Sequence, residues 1–254
     1  MIGFCPLASG SKGNCIYLGT ERTKILVDAG ISARKIQNRL NEINVELCQI
    51  DAILISHEHT DHILGLKQLS GKRKIPIFAN RETAKGIYSA VSQSLPFKIF
   101  TTEETFSFGD FEIHPFRVSH DTLDPAAFTI RTSQYKLGFC TDLGFVSTLI
   151  KKHLQECDYL YLESNHEPSM VHASPRPYIY KKRVLGRRGH LSNDECVSLL
   201  REIKHPKLKH VHLAHLSSEC NSEELALQKA KQILGDRVEV SLAHQDKISK
   251  SIFF

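Results

Sequence analysis

The sequence predicts a single α/β domain over residues 1–254, and three features support it. Short apolar runs of strand length recur along the chain, and several end directly in His, Asp or Glu. Between them lie amphipathic stretches of helical period, some preceded by a Ser placed as an N-cap. No internal repeat, low-complexity tract or linker-like composition divides the chain.

Composition narrows the function classes. A 41% hydrophobic and 24% charged chain reads as a soluble globular protein. No apolar run approaches the roughly 20 residues needed to span a bilayer, so no membrane partner is expected. The start, Met1-Ile2-Gly3-Phe4-Cys5-Pro6, lacks a basic region and a long apolar core, so no secretory signal is expected. Seven widely spaced cysteines without a C-x-x-C pair suit reduced thiols and a cytoplasmic location better than a disulfide framework. The formal charge of +5 permits a polyanionic substrate without requiring one.

Residues 2–8 read as a first strand, followed by the turn Ser9-Gly10-Ser11-Lys12-Gly13-Asn14 and a strand at Cys15–Leu18. The turn is either a plain hairpin loop or a phosphate cradle in which Ser9, Ser11 and Asn14 supply polar groups. Lys24–Val27 is a third strand, leading into Asp28, which is expected to brace the turn or support a ligand rather than to act directly. Ser32 caps a helix of about ten residues with apolar positions Ile36, Leu40 and Ile43.

The strand Ala52–Ser56 delivers the densest chemistry of the chain, His57-Glu58-His59-Thr60-Asp61-His62. Continued extended backbone would project His57, His59 and Asp61 to one side, since side chains alternate in a strand. His62 would join them as the chain turns into a helix over Ile63–Leu69. Imidazole and carboxylate are ordinary ligands of a zinc-class ion, and a solvated His-rich loop would not need a buried strand feeding it. The two-histidine helical zinc motif is excluded by spacing, and Glu58 should point away from the ligands.

A strand at Ile77–Ala79, a helix near 81–91 and several strands through 118 follow. His120 lies just past one of these, and Asp142 just past a strand at Leu137–Cys140 that follows another at Phe128–Thr132. Each is either a ligand or a turn residue. A helix near 146–154 leads to strand Tyr159–Leu162 and then Glu163-Ser164-Asn165-His166. Residues 168–189 carry Lys181, Lys182, Arg183 and three further arginines, with Tyr178 and Tyr180 and no acidic residue. This arm is either a solvated loop or a grip for a phosphodiester backbone. Ser192 and Glu195 form a capping box after His190, opening a helix to about 203. Strand Val211–Ala214 delivers His215; Asn221 and Glu224 are placed to open the helix to Leu234, and Val238–Leu242 is the last strand.

The H-x-H-x-D-H stretch followed by single His, Asp and His residues resembles the metallo-β-lactamase superfamily. Within it, the chain is similar to the WalJ/YycJ-type bacterial proteins. That likeness rests on segments Leu7–Cys15, Val27–Gly30, Ser56–His62, Val118–Asp121, Thr141–Gly144, Leu162–His166, Gly189–Asn193 and Leu213–Ser217. It departs where Glu219-Cys220-Asn221 stands for an expected Glu-Asn-Asn run, and in the proline-rich Ala173–Tyr178.

The resemblance implies an αβ/βα four-layer sandwich of two mixed sheets flanked by helices, with two divalent metal ions (Zn, Mn or Fe). It implies that His57, His59 and His120 hold one ion, that Asp61, His62 and His215 hold the other, and that Asp142 bridges them. It further implies a phosphodiesterase acting as a 5′→3′ DNA exonuclease through metal-activated hydroxide. Asp61 would orient the nucleophile, and His190, supported by Glu163, would contact the scissile phosphate or donate a proton. The competing expectations are a small-molecule ester or thioester hydrolase on the same site and a non-catalytic regulator that keeps the fold.

Overall fold

The structure is a computed structural model describing residues 1–254. The chain begins β1 (Gly3–Ala8), β2 (Cys15–Gly19), β3 (Lys24–Val27), α1 (Ala33–Glu42), β4 (Ala52–Leu54), α2 (Thr60–Ile63) and α3 (Leu66–Arg73). It continues with β5 (Ile77–Asn80), α4 (Arg81–Val91), β6 (Phe97–Phe100), β7 (Phe106–Phe108), β8 (Phe111–Arg117), β9 (Ala126–Arg131) and β10 (Lys136–Cys140). Then come α5 (Thr148–Leu154), β11 (Tyr159–Glu163), α6 (Pro168–Ala173), α7 (Tyr178–Val184) and α8 (Asn193–Ile203). The chain closes with β12 (His210–Ala214), α9 (Glu223–Leu234), β13 (Glu239–Leu242) and β14 (Ile252–Phe253).

These strands form two mixed seven-stranded sheets, in the orders β14-β1-β2-β3-β4-β5-β6 and β13-β12-β11-β10-β9-β8-β7. In the first, β1 pairs antiparallel with β14 and β2, and β3 to β6 run parallel. In the second, β10 to β13 run parallel and β9 joins β10 antiparallel. Parallel neighbours need a crossover, which explains why helices alternate with strands in those halves. The chain divides into two compact units. The first holds Met1–Pro115, Thr122–Ala126 and His244–Phe254; the second holds Phe116–Asp121 and Ala127–Ala243. Each has its own apolar core, built around Tyr17, Leu26, Leu40 and Ile53 in the first and Phe116, Leu162, Leu200 and Leu213 in the second.

Strand register decides which residues meet. Val27 of β3 lies beside Leu54 of β4, so Asp28 and the Ser56-His57 segment leave the first sheet at the same edge. Cys140, Leu162 and Leu213 are aligned across β10, β11 and β12, which brings Asp142, Glu163 and His215 to one carboxyl edge of the second. Side chains at such edges face outward from the strand ends, where binding sites of parallel sheets form.

Several local expectations are corrected. β4 stops two residues before Ser56, because the Ser56 N–H donates to the Asp28 carboxylate (2.9 Å) instead of continuing a ladder. The helix after the His cluster starts at Thr60, not Ile63, and breaks at Leu64-Gly65. Gly65 packs against backbone there: a Cβ would stand 2.7 Å from the Ile31 carbonyl oxygen. Asp61 therefore sits on a helical turn with His59 as its N-cap, rather than on extended backbone, and His62 lies on that same turn. The basic arm is not a loop but contains α6 and α7, started by Pro168 and Pro177. Ser222, not Asn221, caps α9. The strand β14 went unforeseen.

Candidate metal centre

In the first unit the ligand candidates are held by a carboxylate and a hydroxyl. Asp28, with φ at +60° where β3 ends, hydrogen-bonds through Oδ1 with the backbone N–H and Oγ of Ser56 (2.9 and 3.0 Å). Its Oδ2 lies 2.8 Å from His62 Nδ1. Ser56 Oγ in turn lies 2.9 Å from His57 Nδ1. Both imidazoles are thereby held by Nδ1, which leaves Nε2 as the ligand atom, as carboxylate–histidine pairs do around metals. The His57 ring stands 3.9 Å from the His62 ring and 4.9 Å, edge-on, from the His59 ring. Asp61 Oδ2 is 3.7 Å from His62 Nε2. His57 and His62 are buried, while His59 and Asp61 are partly exposed. Glu58 turns away as expected and accepts from the Leu123 N–H (2.9 Å).

The Ser9–Asn14 turn contributes to this cluster. Asn14 is buried; its Oδ1 accepts from the Gly10 N–H (2.8 Å), and its Nδ2 lies 3.0 Å from His62 Nε2 and 3.4 Å from Asp61 Oδ2. Ser9 is buried with its N–H donating to the His244 carbonyl (3.0 Å), and Ser11 is exposed.

In the second unit one carboxylate organises the cluster. Glu163 is fully buried; its Oε1 lies 2.8 Å from His190 Nδ1 and 2.9 Å from His215 Nδ1, and its Oε2 accepts from the N–H groups of Leu143 (3.0 Å) and Leu191 (3.1 Å). Burial works to raise the Glu163 pKa, but the adjacent His190 and the hydrogen bonds from both imidazoles override it, down to about 2. Ligand atoms of Asp142, Glu163, His190 and His215 all lie within 4.8 Å of one another. Asp142 and His215 have φ of +58° and +55°, left-handed backbone that Asp and His adopt more readily than most residues.

His120 completes that set. Its Nδ1 lies 3.1 Å from the Gly189 carbonyl, while its Nε2 is 3.9 Å from Asp142 Oδ1 and 3.4 Å from Asp121 Oδ1. Burial pushes the His120 pKa down, which favours the neutral imidazole a metal requires. The donors of each unit suit a zinc-class ion: imidazoles, of which His57, His62, His120 and His215 have Nδ1 against a partner, with Asp61 in the first and Asp142 in the second as carboxylate oxygens.

The arm is bound to this cluster. The Arg183 guanidinium pairs with Asp121 (Nε–Oδ2 2.6 Å), Arg188 Nε donates to the His120 carbonyl (3.1 Å), and Ser119 Oγ donates to the Arg187 carbonyl (2.7 Å). Lys181 Nζ donates to the His172 carbonyl (2.6 Å), and Lys182 is exposed. Ser56 and Asp121 were missed from sequence, although each adjoins a ligand candidate. Asn165, whose Nδ2 donates to the His215 carbonyl (2.6 Å), gave no local signal.

Residues 23–213 match the model of the β-lactamase superfamily domain. The chain is 34% identical over 237 residues to the exodeoxyribonuclease YycJ of Bacillus anthracis, covering 92% of this chain and 89% of that protein. It is 37% identical over 224 residues to the exodeoxyribonuclease WalJ of Streptococcus pneumoniae serotype 2, covering 87% and 83%. The crystal structure of the metallo-β-lactamase fold protein YhfI from Bacillus subtilis shares the fold, with a TM-score of 0.75 at 16% identity over 97% of this chain and 98% of that one. With two mixed sheets, a matching domain model and His/Asp clusters consistent with a metal site, the chain belongs to the metallo-β-lactamase superfamily, as a relative of YycJ and WalJ.

Proposed function

We propose that this chain is a metal-dependent phosphodiesterase that degrades DNA as a 5′→3′ exonuclease. The observation that carries it is the Glu163 carboxylate between His190 and His215, in a chain related over most of its length to two exodeoxyribonucleases. One carboxylate aims a ligand candidate, His215, and a partly exposed imidazole outside the proposed ligand set, His190, together. That suits acid–base work on an ester bond next to a bound ion.

The proposed ligand set is His57, His59 and His120 for one divalent ion and Asp61, His62 and His215 for a second, with Asp142 shared; zinc or manganese suits these donors. The bound ions would supply charge neutralisation for a phosphodiester and lower the pKa of water. The chain's own residues do the rest. Asp28 and Ser56 hold His62 and His57 in the ligating tautomer. His190, its Nδ1 against Glu163, contacts the scissile phosphate or protonates the leaving oxygen through Nε2. Asp61 orients the nucleophile. Asn14 serves as a brace for Asp61 in preference to a phosphate contact, and its contact with His62 Nε2 would be exchanged for the bound ion. Lys182, exposed on α7, follows the backbone of the strand, while Arg183 is held by Asp121 and Lys181 by the His172 carbonyl. The repeated passage of the chain between the two units supports a single domain, and no helix is long and apolar enough to cross a membrane.

The test is a nuclease assay on metal-loaded protein with DNA labelled at either end and His59→Ala as control. Mononucleotide release from the 5′ end, lost in the variant, is the expected result. Intact DNA with zinc, manganese and magnesium, alongside turnover of a thioester, would replace the nuclease reading with that of a small-molecule hydrolase.

A further inference from the structure

α7 packs against the second unit through one face only. Its inward positions, Tyr180 and Val184, pack with Val171 and Cys220. Its outward positions include Tyr178 and Ile179, 79% and 74% exposed. Large apolar side chains this exposed and adjacent signal a partner when they stand together. Lys182 lies four residues after Tyr178 and three after Ile179, so one helical face presents an aromatic ring, an aliphatic chain and a solvated ammonium.

The presentation is rigid. Pro175 and Pro177 flank Arg176, whose guanidinium pairs with Glu219 (Nε–Oε2 2.8 Å), and Pro177 occupies the N-cap of α7. At its other end the arm is locked to the His120 segment by Arg183–Asp121, Arg188 to the His120 carbonyl and Ser119 to the Arg187 carbonyl. Gly144 lets the arm approach so closely that a Cβ there would stand 2.3 Å from the Arg187 carbonyl carbon. The platform is thus tied through the arm to the segment that carries His120.

From this arrangement we infer that Tyr178 and Ile179 form a stacking platform for unpaired bases of single-stranded DNA, with Lys182 on the adjoining phosphate. The inference rests on the nuclease reading and adds its substrate form. Charge selects the occupant. Glu219 and Asp121 pair with Arg176 and Arg183, but Lys181, Lys182, Arg187 and Arg188 outnumber them, so the surface stays positive and a polyanion with flat apolar faces is complementary. A tyrosine that directly follows Pro177 at the start of α7 can offer its ring to any base, as a sequence-tolerant exonuclease requires.

The experiment compares metal-loaded wild type with Tyr178→Ala and Tyr178→Trp. Each is titrated with a short fluorescent oligothymidylate and with an abasic strand of equal phosphate count, both phosphorothioate-linked to resist degradation. Wild type is expected to bind the base-bearing strand roughly tenfold more tightly than the abasic one. Tyr178→Ala should abolish that preference, and Tyr178→Trp should keep it. Equal binding of both strands by wild type, or an intact preference in Tyr178→Ala, would overturn the platform while leaving the nuclease reading standing. No binding of either strand would overturn both. A change of Tyr178→Ala from dimer to monomer in light scattering, with the strand preference unaltered, would reassign the patch to a contact between copies of this chain.

Discussion

Glu163 Oε1 lies 2.9 Å from His215 Nδ1, so a side chain with no solvent exposure determines which imidazole nitrogen His215 presents. The same oxygen serves His190 at 2.8 Å, so a ligand candidate and an acid–base candidate share one support. Replacing it with an isosteric amide should disturb both. Glu163→Gln is expected to weaken zinc binding about 10–100-fold, measured by competition with a chelator. Unchanged affinity would show that the carboxylate does not set the ligating tautomer.

Asp28 plays the corresponding part in the first unit, at 2.8 Å from His62 Nδ1, with φ of +60°. Asparagine tolerates that backbone and alanine does not. Asp28→Asn should therefore weaken metal binding by about tenfold or more with little loss of apo-protein stability, whereas Asp28→Ala should add about 1–2 kcal/mol of left-handed strain. Melting temperatures of the two apo variants, together with metal analysis after dialysis, separate the effects. Equal melting temperatures would refute the strain component.

Asn221 donates to two successive backbone carbonyls, the second of which also accepts from the Ser217 N–H (2.8 Å). Its Nδ2 donates to the Ser164 carbonyl (2.8 Å) and the Asn165 carbonyl (3.0 Å), beside the segment that ends in Glu163. Asn221→Ala should cost about 1–3 kcal/mol, because the Ser164 carbonyl loses this donor while the Asn165 carbonyl keeps the Ser217 N–H. Ser222→Ala, which removes only the cap of α9, should cost about 1 kcal/mol. Urea unfolding of the two variants gives the comparison, and the reverse order would contradict it.

The seven cysteines differ sharply in access. Cys48 is exposed, and the others are buried without disulfides. Burial pushes the Cys157 and Cys196 thiols up to about 12, far from the reactive thiolate. Native protein at pH 8 should take up one equivalent of a thiol reagent on mixing, none in Cys48→Ser, and seven in denaturant. Rapid uptake of further equivalents would mean that the core opens readily.

Much of this molecule is legible locally. The strand Lys24–Val27 appears at its expected bounds, as do the helix capped by Ser32 and the capping box of Ser192 and Glu195, because each depends on neighbours within a turn or two. The candidate ligands were likewise readable, since His and Asp directly after apolar runs announce strand ends. Tertiary structure alone decided how they are held. The partners that aim the rings are remote in sequence: Asp28 for His62, Glu163 for His190 and His215, Gly189 for His120. They meet because parallel strands align Val27 with Leu54 and Cys140 with Leu162 and Leu213, and no local period encodes that register. The arm shows the same division. Its charge was plain from composition, but its two short helices and the exposure of Tyr178 follow from prolines that start each helix and from contacts to residues 119–121, well over fifty positions earlier. Residue type and spacing set the chemistry available, and long-range hydrogen bonding, which repays its chain entropy only once both sheets' strands are in place, set where that chemistry points.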